Sequence, residues 1–377
     1  MKKTLKLFKI IVLSVVLIVS SMFIPKTKNK DVVNNVPTIS KNNIEEDKNT
    51  EIITPITEPE EIINIPVPEK KQIVLSFVGD CTLGTDDNFG YTNTFTHVFD
   101  KNDKDYSYFF KGVKEVLEND DLTIANLETT FTNATVKKDK QFNFKGDPSY
   151  VNILLEGSVE VVNLANNHTY DYYEKGYNDT VDVLKSANVG FYGNNVFLVE
   201  EVQGVKIGFA GFNGFGDIKS TSTQIKTALE YFEENNIDIK IVSFHWGIER
   251  ENYFNEKQQT LGRFAIDNGA NLVIGHHPHV LQGIEEYNGN YIVYSLGNFV
   301  FGGNRNPQDK DSMIFQKIFT FEDNQLIDQK VNIIPVSISS QKNINDYQPT
   351  LLEDEEKVKV LTRINKYSKN FNYEINE

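Results

Sequence analysis

Three short histidine-containing strings, each directly after a run of apolar, β-prone residues, constrain the fold of this chain more than any other feature. They lie at residues 166–168, 245–247 and 275–279 and hold five of the six histidines. In an open α/β sheet the carboxyl ends of parallel strands meet at one crevice. Histidine is a favoured metal ligand and a common acid or base. The pattern therefore predicts an α/β fold with one polar site that is able to hold metal.

Strand and helix patterns alternate along most of the chain, which is typical of the α/β class. Apolar runs predict strands at 73–78, 122–125, 159–164, 205–210, 237–244, 271–274 and 291–296. Helical patterns occur at 111–119, 148–157, 174–187, 224–234 and 256–268. Residues 313–321 and 330–338 predict two closing antiparallel strands, because no helical segment separates them.

The balance of charge excludes one broad class of function. The chain has 377 residues, with 38 Lys and Arg against 53 Asp and Glu, and a formal net charge of −15. Proteins that bind nucleic acid carry a basic footprint, so no nucleic-acid partner is expected. The acidic surface also repels a polyanionic substrate unless a metal or a basic pocket offsets it. The single cysteine, Cys81, excludes an internal disulfide.

The two ends of the chain differ in composition from its middle, and we expect four regions. Residues 1–25 have a basic start and a largely apolar stretch, which predicts a membrane anchor or uncleaved signal, with a cleaved signal as the alternative. Residues 26–70 are polar and contain several prolines, which predicts a disordered tether. Residues 71–338 hold the α/β domain, and 339–377 form a polar C-terminal extension. We expect a single N-terminal anchor in the cell membrane and an extracytoplasmic domain.

Other polar residues follow the predicted strands and are candidates for the same crevice. Asp80 follows the first strand and offers a carboxylate to a divalent cation, although aspartate is also common in turns. Asn126 and Glu128 follow the second strand and lie on the same side of an extended chain. His277 and His279 can both face one ion if their segment is extended. The sixth histidine, His97, lies apart, and either a structural role or a place near substrate fits it.

Seven side chains near these strings and strand ends are expected to contact a substrate. They are Asn126, Asn166, Asp171, Trp246, Glu249, His276 and Asn298. Trp246 is the only tryptophan, and it either shapes a pocket or packs in the interior.

The ordered motifs resemble those of a known family. Gly79-Asp80, Asn126-Leu127-Glu128, Asn166-Asn167-His168, His245-Trp246-Gly247, Gly275-His276-His277-Pro278-His279 and Ser295-Leu296-Gly297-Asn298-Phe299 are together similar to the CapA family of bacterial poly-γ-glutamate capsule biosynthesis proteins. The resemblance covers about residues 72–301. It implies a calcineurin-like metallophosphoesterase fold, which is a four-layer α/β/β/α sandwich. It also implies an extracytoplasmic, membrane-attached protein of the machinery for polymer synthesis and export.

The resemblance further implies a divalent metal ion, for which manganese, iron and zinc are the candidates. The implied metal ligands are Asp80, Asn167, His245, His277 and His279, and the implied catalytic residues are His168, Asp80 and Glu128. The first motif of metallophosphoesterases carries a histidine where this chain has Thr82. One half-site has therefore lost a ligand, whereas the half-site of Asn167, His245 and His277 is expected to be intact.

Three functions remain open on these grounds. The first is a membrane-anchored capsule-polymer protein whose crevice binds metal and handles an anionic polyamide by hydrolysis or transfer at a phosphoester or amide bond. The second is a divalent-metal-dependent phosphoesterase with His168 as the acid. The third is a non-catalytic subunit that binds polymer or partner proteins through a degenerate site. The expected partners are the capsule polymer, the membrane and other capsule synthesis or export subunits.

Overall fold

The computed structural model describes residues 70–375, and strands and helices alternate through most of this part of the chain. The strands are β1 (Lys70–Thr82), β2 (Thr85–Asp86), β3 (Leu122–Leu127), β4 (Thr130–Phe131), β5 (Phe144–Gly146), β6 (Val161–Asn163), β7 (Gly190–Tyr192), β8 (Leu198–Val202), β9 (Val205–Asn213), β10 (Ile239–His245), β11 (Leu272–His276), β12 (Ile284–Tyr287), β13 (Asn290–Val293), β14 (Asn298–Phe301), β15 (Asp311–Glu322), β16 (Gln325–Ser337) and β17 (Thr350–Leu351). The helices are α1 (Phe95–Lys101), α2 (Lys114–Leu117), α3 (Val151–Glu156), α4 (Tyr173–Ser186), α5 (Ile218–Glu234), α6 (Glu256–Asp267) and α7 (Asp354–Tyr367). The strands and helices predicted from the sequence are all present, with shifted ends.

Residues 1–69, which hold the predicted anchor and nearly all of the predicted tether, lie outside the described residues. Within residues 70–375, no helix combines the length and the apolar character that crossing a membrane requires.

Two sheets contain most of the strands. The first sheet has the order β17-β16-β15-β1-β3-β6-β7, and β14 also pairs with β1; the second has the order β12-β13-β11-β10-β9-β8. The pairs β1–β3, β3–β6, β9–β10 and β10–β11 are parallel. Since parallel strands end at the same edge, each sheet presents one row of carboxyl-terminal strand ends. A small third sheet has the order β2-β5-β4.

Three apolar clusters fill the spaces between the sheets and the helices that pack on them. One cluster joins the facing sides of the two sheets, with Leu75 and Ile241 among its members. The second packs the other side of the first sheet against helices such as α3, which contributes Leu154. The third packs the other side of the second sheet against α5 and α6, with Leu229 as an example. The predicted α/β class is confirmed.

The segment after residue 338 packs onto this body, which corrects the predicted domain end. β17 pairs with β16, and α7 contributes Val360, Leu361 and Ile364 to the cluster between the sheets. Tyr347, in the loop before β17, is fully buried. The domain therefore extends to residue 375 at least, whereas the sequence predicted a separate polar extension from 339. Most residues of α7 are polar, so the sequence did not indicate that its narrow apolar side would be buried.

An unpaired lysine lies inside this body. Lys317 of β15 is fully buried and lies on the same side of the strand as Phe315 and Phe319, which belong to the cluster between the sheets. Its Nζ has no hydrogen-bond partner among the described residues and lies 4.2 Å from the centroid of the Tyr291 ring. Burial lowers the pKa of Lys317 from 10.5 to about 7, because the charged form loses its hydration.

We expect Lys317→Met to raise the free energy of unfolding at pH 7 by up to about 4 kcal/mol. The folded pKa of this lysine lies below its unfolded value, so stability is present above pH 10.5 and is lost as the pH falls towards about 7. The variant should lose this part of the pH dependence in urea unfolding between pH 7 and 10.5. Lys330→Met, at an exposed position of β16, is the control. An unchanged pH profile in Lys317→Met would contradict the assignment.

Candidate metal centre

Asp80, near the end of β1, is the first residue of the site along the chain. The preceding residue, Gly79, allows close backbone packing at this point. A Cβ on Gly79 would come within 2.2 Å of the carbonyl oxygen of Gly297, so β1 and the chain entering β14 can approach this closely only without a side chain. The backbone N–H of Asp80 donates to that same carbonyl at 3.0 Å. This approach fixes Asp80 in a fully buried position opposite Asn298.

The Asp80 carboxylate gathers contacts from both sheets. Its Oδ1 accepts a hydrogen bond from Asn126 Nδ2 at 2.8 Å and lies 3.4 Å from Nδ1 of His276. Its Oδ2 accepts from the backbone N–H of His277 at 3.3 Å and lies 3.1 Å from Nδ1 of His279. Burial alone would raise the pKa of Asp80, but the nearby imidazoles of His276 and His279 hold that pKa well below its usual value. Asp80 is therefore an anion at neutral pH.

Glu128, just past β3, is a fully buried carboxylate whose two oxygens accept no hydrogen bond. Its Oε1 lies 3.3 Å from Nε2 of His245, without hydrogen-bond geometry, and 3.9 Å from Nε2 of both His168 and His279. Burial raises the pKa of Glu128 well above its usual range; His279 opposes this rise and Asp80 adds to it. A buried polar group without a partner typically costs about 1–3 kcal/mol. Such a group needs a cation or a proton beside it.

His277 and His279 follow β11 with strained backbones. Their φ angles are +96° and +57°, in the left-handed region that residues with a Cβ rarely adopt. Strain of this kind costs about 1–3 kcal/mol per residue and is concentrated at functional sites. His277 Nδ1 is buried without a hydrogen-bond partner, and the ring packs edge-on against Phe215 at 4.7 Å.

The protonation states of three histidines follow from their surroundings. Burial, with the charge of His277 adding to it, lowers the pKa of His245 well below its usual value. Burial also lowers the pKa of His277 to about 4, with His279 adding to the effect. Burial would lower the pKa of His279 too, but Glu128 and Asp80 raise it to about 9. His245 and His277 thus present neutral imidazoles, the form that binds metal, while the two carboxylates favour the protonated form of His279.

Three overlapping groups of side chains bring metal-binding atoms within 4.8 Å of one another. They are Glu128 with His245 and His277, Asp80 with Glu128 and His279, and Glu249 with His277 and His279. Imidazole nitrogens combined with carboxylate oxygens suit zinc, iron and manganese. Glu128, His245 and His277 each have a buried atom without a hydrogen-bond partner, and one bound cation would satisfy all three. The residues present fit a divalent metal, with Glu128 common to the first two groups.

His168 lies beside these groups and is held by a carboxylate. Its Nδ1 lies 2.7 Å from Oδ2 of Asp171, which is fully buried and also accepts a hydrogen bond from the Phe144 backbone N–H at 2.6 Å. The ring stacks on Phe144 at 4.2 Å between centroids. Burial lowers the pKa of His168, and Asp171 opposes the shift. A carboxylate on Nδ1 leaves Nε2, on the side of Glu128, as the nitrogen that can exchange a proton.

Comparison with known proteins identifies the family to which this arrangement belongs. Residues 74–303, more than half of the chain, match the family described as "Bacterial capsule synthesis protein PGA_cap". The chain belongs to this family. The match includes all the site residues from Asp80 to Asn298, so it confirms the resemblance found in the motifs and the α/β fold of metallophosphoesterase type.

Two relatives carry the CapA name. The chain is 33% identical to "PGA biosynthesis protein CapA" of Bacillus subtilis (strain 168) over 247 residues, which cover 60% of this chain and 62% of the relative. It is 30% identical to "Capsule biosynthesis protein CapA" of Bacillus anthracis over 277 residues, covering 66% and 64%. A "Probable polyglutamine synthesis accessory protein" of Mycobacterium tuberculosis is 24% identical over 264 residues, covering 60% and 69%. The matches thus span less than two thirds of the length of the two CapA relatives.

Most of the PGA_cap motif residues singled out in the sequence meet at the crevice. Asp80, Glu128, His168, His245, His276, His277 and His279 are brought together there, and Glu249 joins them from an exposed position. Of the seven expected substrate contacts, four instead hold other site residues, and Asn126 is one of these four. Asp171 is buried against His168, Asn298 Oδ1 lies 3.0 Å from Nδ1 of His279, and Asn166 Oδ1 accepts from the backbone N–H of His168 at 3.0 Å.

An amide network connects the two sheets beneath the PGA_cap site. The Nδ2 of Asn126 lies 2.8 Å from Asp80 and 3.3 Å from Nδ1 of His245, on the second sheet. The Oδ1 of Asn126 accepts from Nδ2 of Asn163 at 3.0 Å and from Nδ2 of Asn166 at 3.4 Å. Asn126 was expected to contact substrate, but all of these atoms are buried and engaged with protein.

One predicted site residue lies away from the crevice, and another is exposed beside His168. Trp246 is buried in the cluster between the second sheet and its helices, stacks on Phe244 at 4.3 Å, and donates its Nε1–H to the Tyr294 carbonyl. It faces away from the crevice because successive residues of a strand point to opposite sides, and His245 takes the crevice side. Asn167, expected as a metal ligand, is exposed, and Glu128 takes the central place among the ligand groups.

Lys140 and Asn163 belong to the site but were not singled out in the sequence. Lys140 Nζ forms an ion pair with Asp171, donates to the Asn167 carbonyl at 3.0 Å and lies 3.2 Å from Nδ1 of His168. It comes from a loop between β4 and β5, so no strand end marks it in the sequence. Asn163 ends β6 three residues before the Asn-Asn-His string. Its position at a strand end could have marked it as a site residue in the sequence.

Proposed function

We propose that this protein acts on an anionic polyamide, the poly-γ-glutamate of a bacterial capsule, during its synthesis or export. The family and its CapA relatives supply the polymer context. The observation that carries the proposal of a working site is Glu128, a buried carboxylate without hydrogen-bond donors that faces three histidines. Among the described residues no donor reaches its oxygens with hydrogen-bond geometry, and a divalent metal ion would satisfy them.

We further propose that the polymer is bound at the outer face of the cell membrane, with residues 1–25 as the anchor and 26–70 as the tether. The apolar stretch in residues 1–25 supports the anchor, and the composition of 26–70 supports the tether. The tether would keep the domain at a distance from the membrane, which would leave room for a long, hydrated polymer to pass between them.

The proposed division of labour within the crevice follows from the contacts of each side chain. Glu128, His245, His277, His279 and Asp80 would hold the metal, which supplies Lewis-acid polarisation of a carbonyl or phosphoryl oxygen and lowers the pKa of bound water. His168 would give or take a proton at Nε2, because Asp171 holds its Nδ1 and Phe144 fixes its ring. Asn126 and Asn298 would keep Asp80 and His279 in place.

Lys140 would help to bring a carboxylate-bearing chain to this site. Its ammonium group pairs with Asp171 but is partly exposed beside His168 and Asn167, in a protein whose net charge of −15 otherwise repels polyanions. A local cation at the site therefore favours an anionic substrate over a neutral one.

The test combines metal analysis with polymer degradation. The purified chain is expected to hold divalent metal and to shorten poly-γ-glutamate, as measured by elemental analysis and by the size distribution of the polymer. His277→Ala should remove most of the metal, because this imidazole belongs to two of the ligand groups. Thr82→Ala is the matched control: its hydroxyl donates to the Glu128 carbonyl at 3.3 Å, away from the carboxylate, so metal content should change little.

Each rival function has its own result in the same experiment. Metal-dependent turnover of aryl phosphoesters, with no effect on polymer, would replace the proposal with a phosphoesterase. Metal-free protein that binds polymer without shortening it would replace it with a non-catalytic binding subunit. Equal loss of metal in Thr82→Ala and His277→Ala would contradict the assignment of ligands.

A further inference from the structure

A second cavity lies outside the crevice and contains the histidine that the site does not use. Its volume is about 730 Å³, and it lies between α1, the chain after β14 and residues 341–346. Its lining includes His97, Lys101, Tyr108, Arg305, Asn345 and Asp346. Cavities of roughly 300–1,000 Å³ are the usual size of small-ligand sites.

The walls of this cavity are tied together by hydrogen bonds between distant parts of the chain. Tyr347 Oη donates to the Asn93 carbonyl at 2.8 Å, which joins the C-terminal segment to the start of α1. Asn306 Nδ2 donates to the Asn343 carbonyl at 3.1 Å. Gln348 Nε2 donates to the Tyr108 carbonyl at 2.8 Å. These bonds give the cavity a defined shape that precedes any ligand.

The charge of the lining is positive. Among residues 70–375, Lys101 and Arg305 make neither an ion pair nor a side-chain hydrogen bond. The one carboxylate in the lining, Asp346, accepts hydrogen bonds from Ser339 Oγ at 2.8 Å, Ser340 Oγ at 2.5 Å and the backbone N–H of Ser340 at 3.0 Å. These bonds hold the Asp346 carboxylate within its own loop, and the lining keeps two cations against this one anion.

One residue connects the cavity to the crevice. The Phe301 ring lies 4.7 Å from the His279 ring, between centroids. The Phe301 carbonyl accepts a hydrogen bond at 3.2 Å from Nδ2 of Asn345, which lines the cavity. Phe301, at the end of β14, therefore contacts a crevice histidine with its ring and the cavity lining with its carbonyl.

We propose that this cavity binds a carboxylate-bearing segment of an anionic polyamide and holds the polymer beside the crevice. Arg and Lys form charge-assisted hydrogen bonds with carboxylates, and Arg does so with two parallel bonds. The asparagine side chains of the lining match the donors and acceptors of a polyamide backbone. The choice of polymer rests on the proposed function, whereas the binding of carboxylates at Lys101 and Arg305 does not.

The test measures the affinity of the full chain for a fluorescent decamer of γ-linked glutamate by anisotropy, at fixed ionic strength. Lys101→Gln with Arg305→Gln is expected to weaken binding by about tenfold or more, because two charge-assisted contacts are lost. Lys219→Gln with Lys226→Gln, two exposed positions on α5, changes the net charge equally and should leave binding within about twofold. Inorganic phosphate and free glutarate serve as the two competitors.

The outcomes separate this inference from the proposed function. Loss of binding in the Lys101 and Arg305 variant supports the inference even if the polymer is never shortened, because the cavity is then a binding site in its own right. The metal content of the Lys101 and Arg305 variant should stay at the wild-type level, because neither residue belongs to a ligand group. Equal affinity in the variant and the wild type would overturn the inference. Displacement of the decamer by phosphate at lower concentration than by free glutarate would also overturn it, since the cavity would then be a phosphate site.

Discussion

Replacing Glu128 with glutamine is expected to lower the metal affinity of the crevice by at least about 100-fold. Loss of a residue that merely supports a ligand commonly costs about 10- to 100-fold, and Glu128 belongs to two of the three ligand groups itself. Glutamine keeps the shape of the side chain but removes its charge. Titration of the metal-free protein with zinc or manganese, followed by calorimetry, measures the change.

The same variant should be more stable than the wild type when no metal is present. The Glu128 carboxylate is buried without a donor, so neutralising it is expected to gain about 1–3 kcal/mol at pH 8. The folded pKa of Glu128 is raised above 4.5, so wild-type stability is present below that pH and is lost as the pH rises through the folded pKa. The advantage of the variant should therefore grow with pH. With saturating metal, the wild type should be more stable than Glu128→Gln.

Glu256→Gln at the exposed start of α6 provides the control for these measurements. It removes one charge without touching the crevice, so both metal affinity and stability should stay near wild-type values. A metal affinity of Glu128→Gln equal to that of this control would show that Glu128 binds no metal.

Ending the chain after residue 338 is expected to prevent folding of the domain. The deletion removes α7, whose Val360, Leu361 and Ile364 are essentially fully buried between the sheets. Each buried side chain of this kind contributes about 1.5–3 kcal/mol, and a domain is stable by only about 5–15 kcal/mol. Circular dichroism and the amount of soluble protein would report the loss. A truncated chain that melts cooperatively near the wild-type temperature would contradict the packing described for α7.

A pair of point variants tests the same helix without deletion. Leu361→Ala should lower the free energy of unfolding by about 2–5 kcal/mol, because it leaves a cavity in a packed region. Val358→Ala, on the exposed side of the helix, should change it by less than about 0.5 kcal/mol.

The sequence predicted the parts of the fold that repeat a strong local pattern. The strands β1, β9, β10 and β11 are apolar runs buried on both faces, and their order with the helices indicated the α/β class. Short or edge strands escaped prediction: β2, β4 and β5 have two or three residues each, and β8 is only half buried. Such strands exist because a partner lies beside them, and for β2 and β4 that partner, β5, follows only after a loop.

The site was predictable where its residues stand at strand ends. His245, Asp80 and Glu128 each follow an apolar run, and their convergence follows from parallel strands ending at one edge. The direction of a side chain was harder to infer. Trp246 and His245 are neighbours with opposite orientations, and only the packing of the second sheet decides which of them faces the crevice. Lys140 reaches the site from a loop, where no periodic pattern exists.

Because Glu128 and His245 lie on different sheets, an ion bound between them would affect how the protein unfolds. The single cysteine leaves the two sheets without a disulfide between them. An ion held by Glu128 from the first sheet and by His245 from the second would be a cross-link that forms only after both sheets have folded. The sheets could not then separate before the ion dissociates. The lifetime of the folded protein would follow the rate of ion release, and a chelator would shorten it.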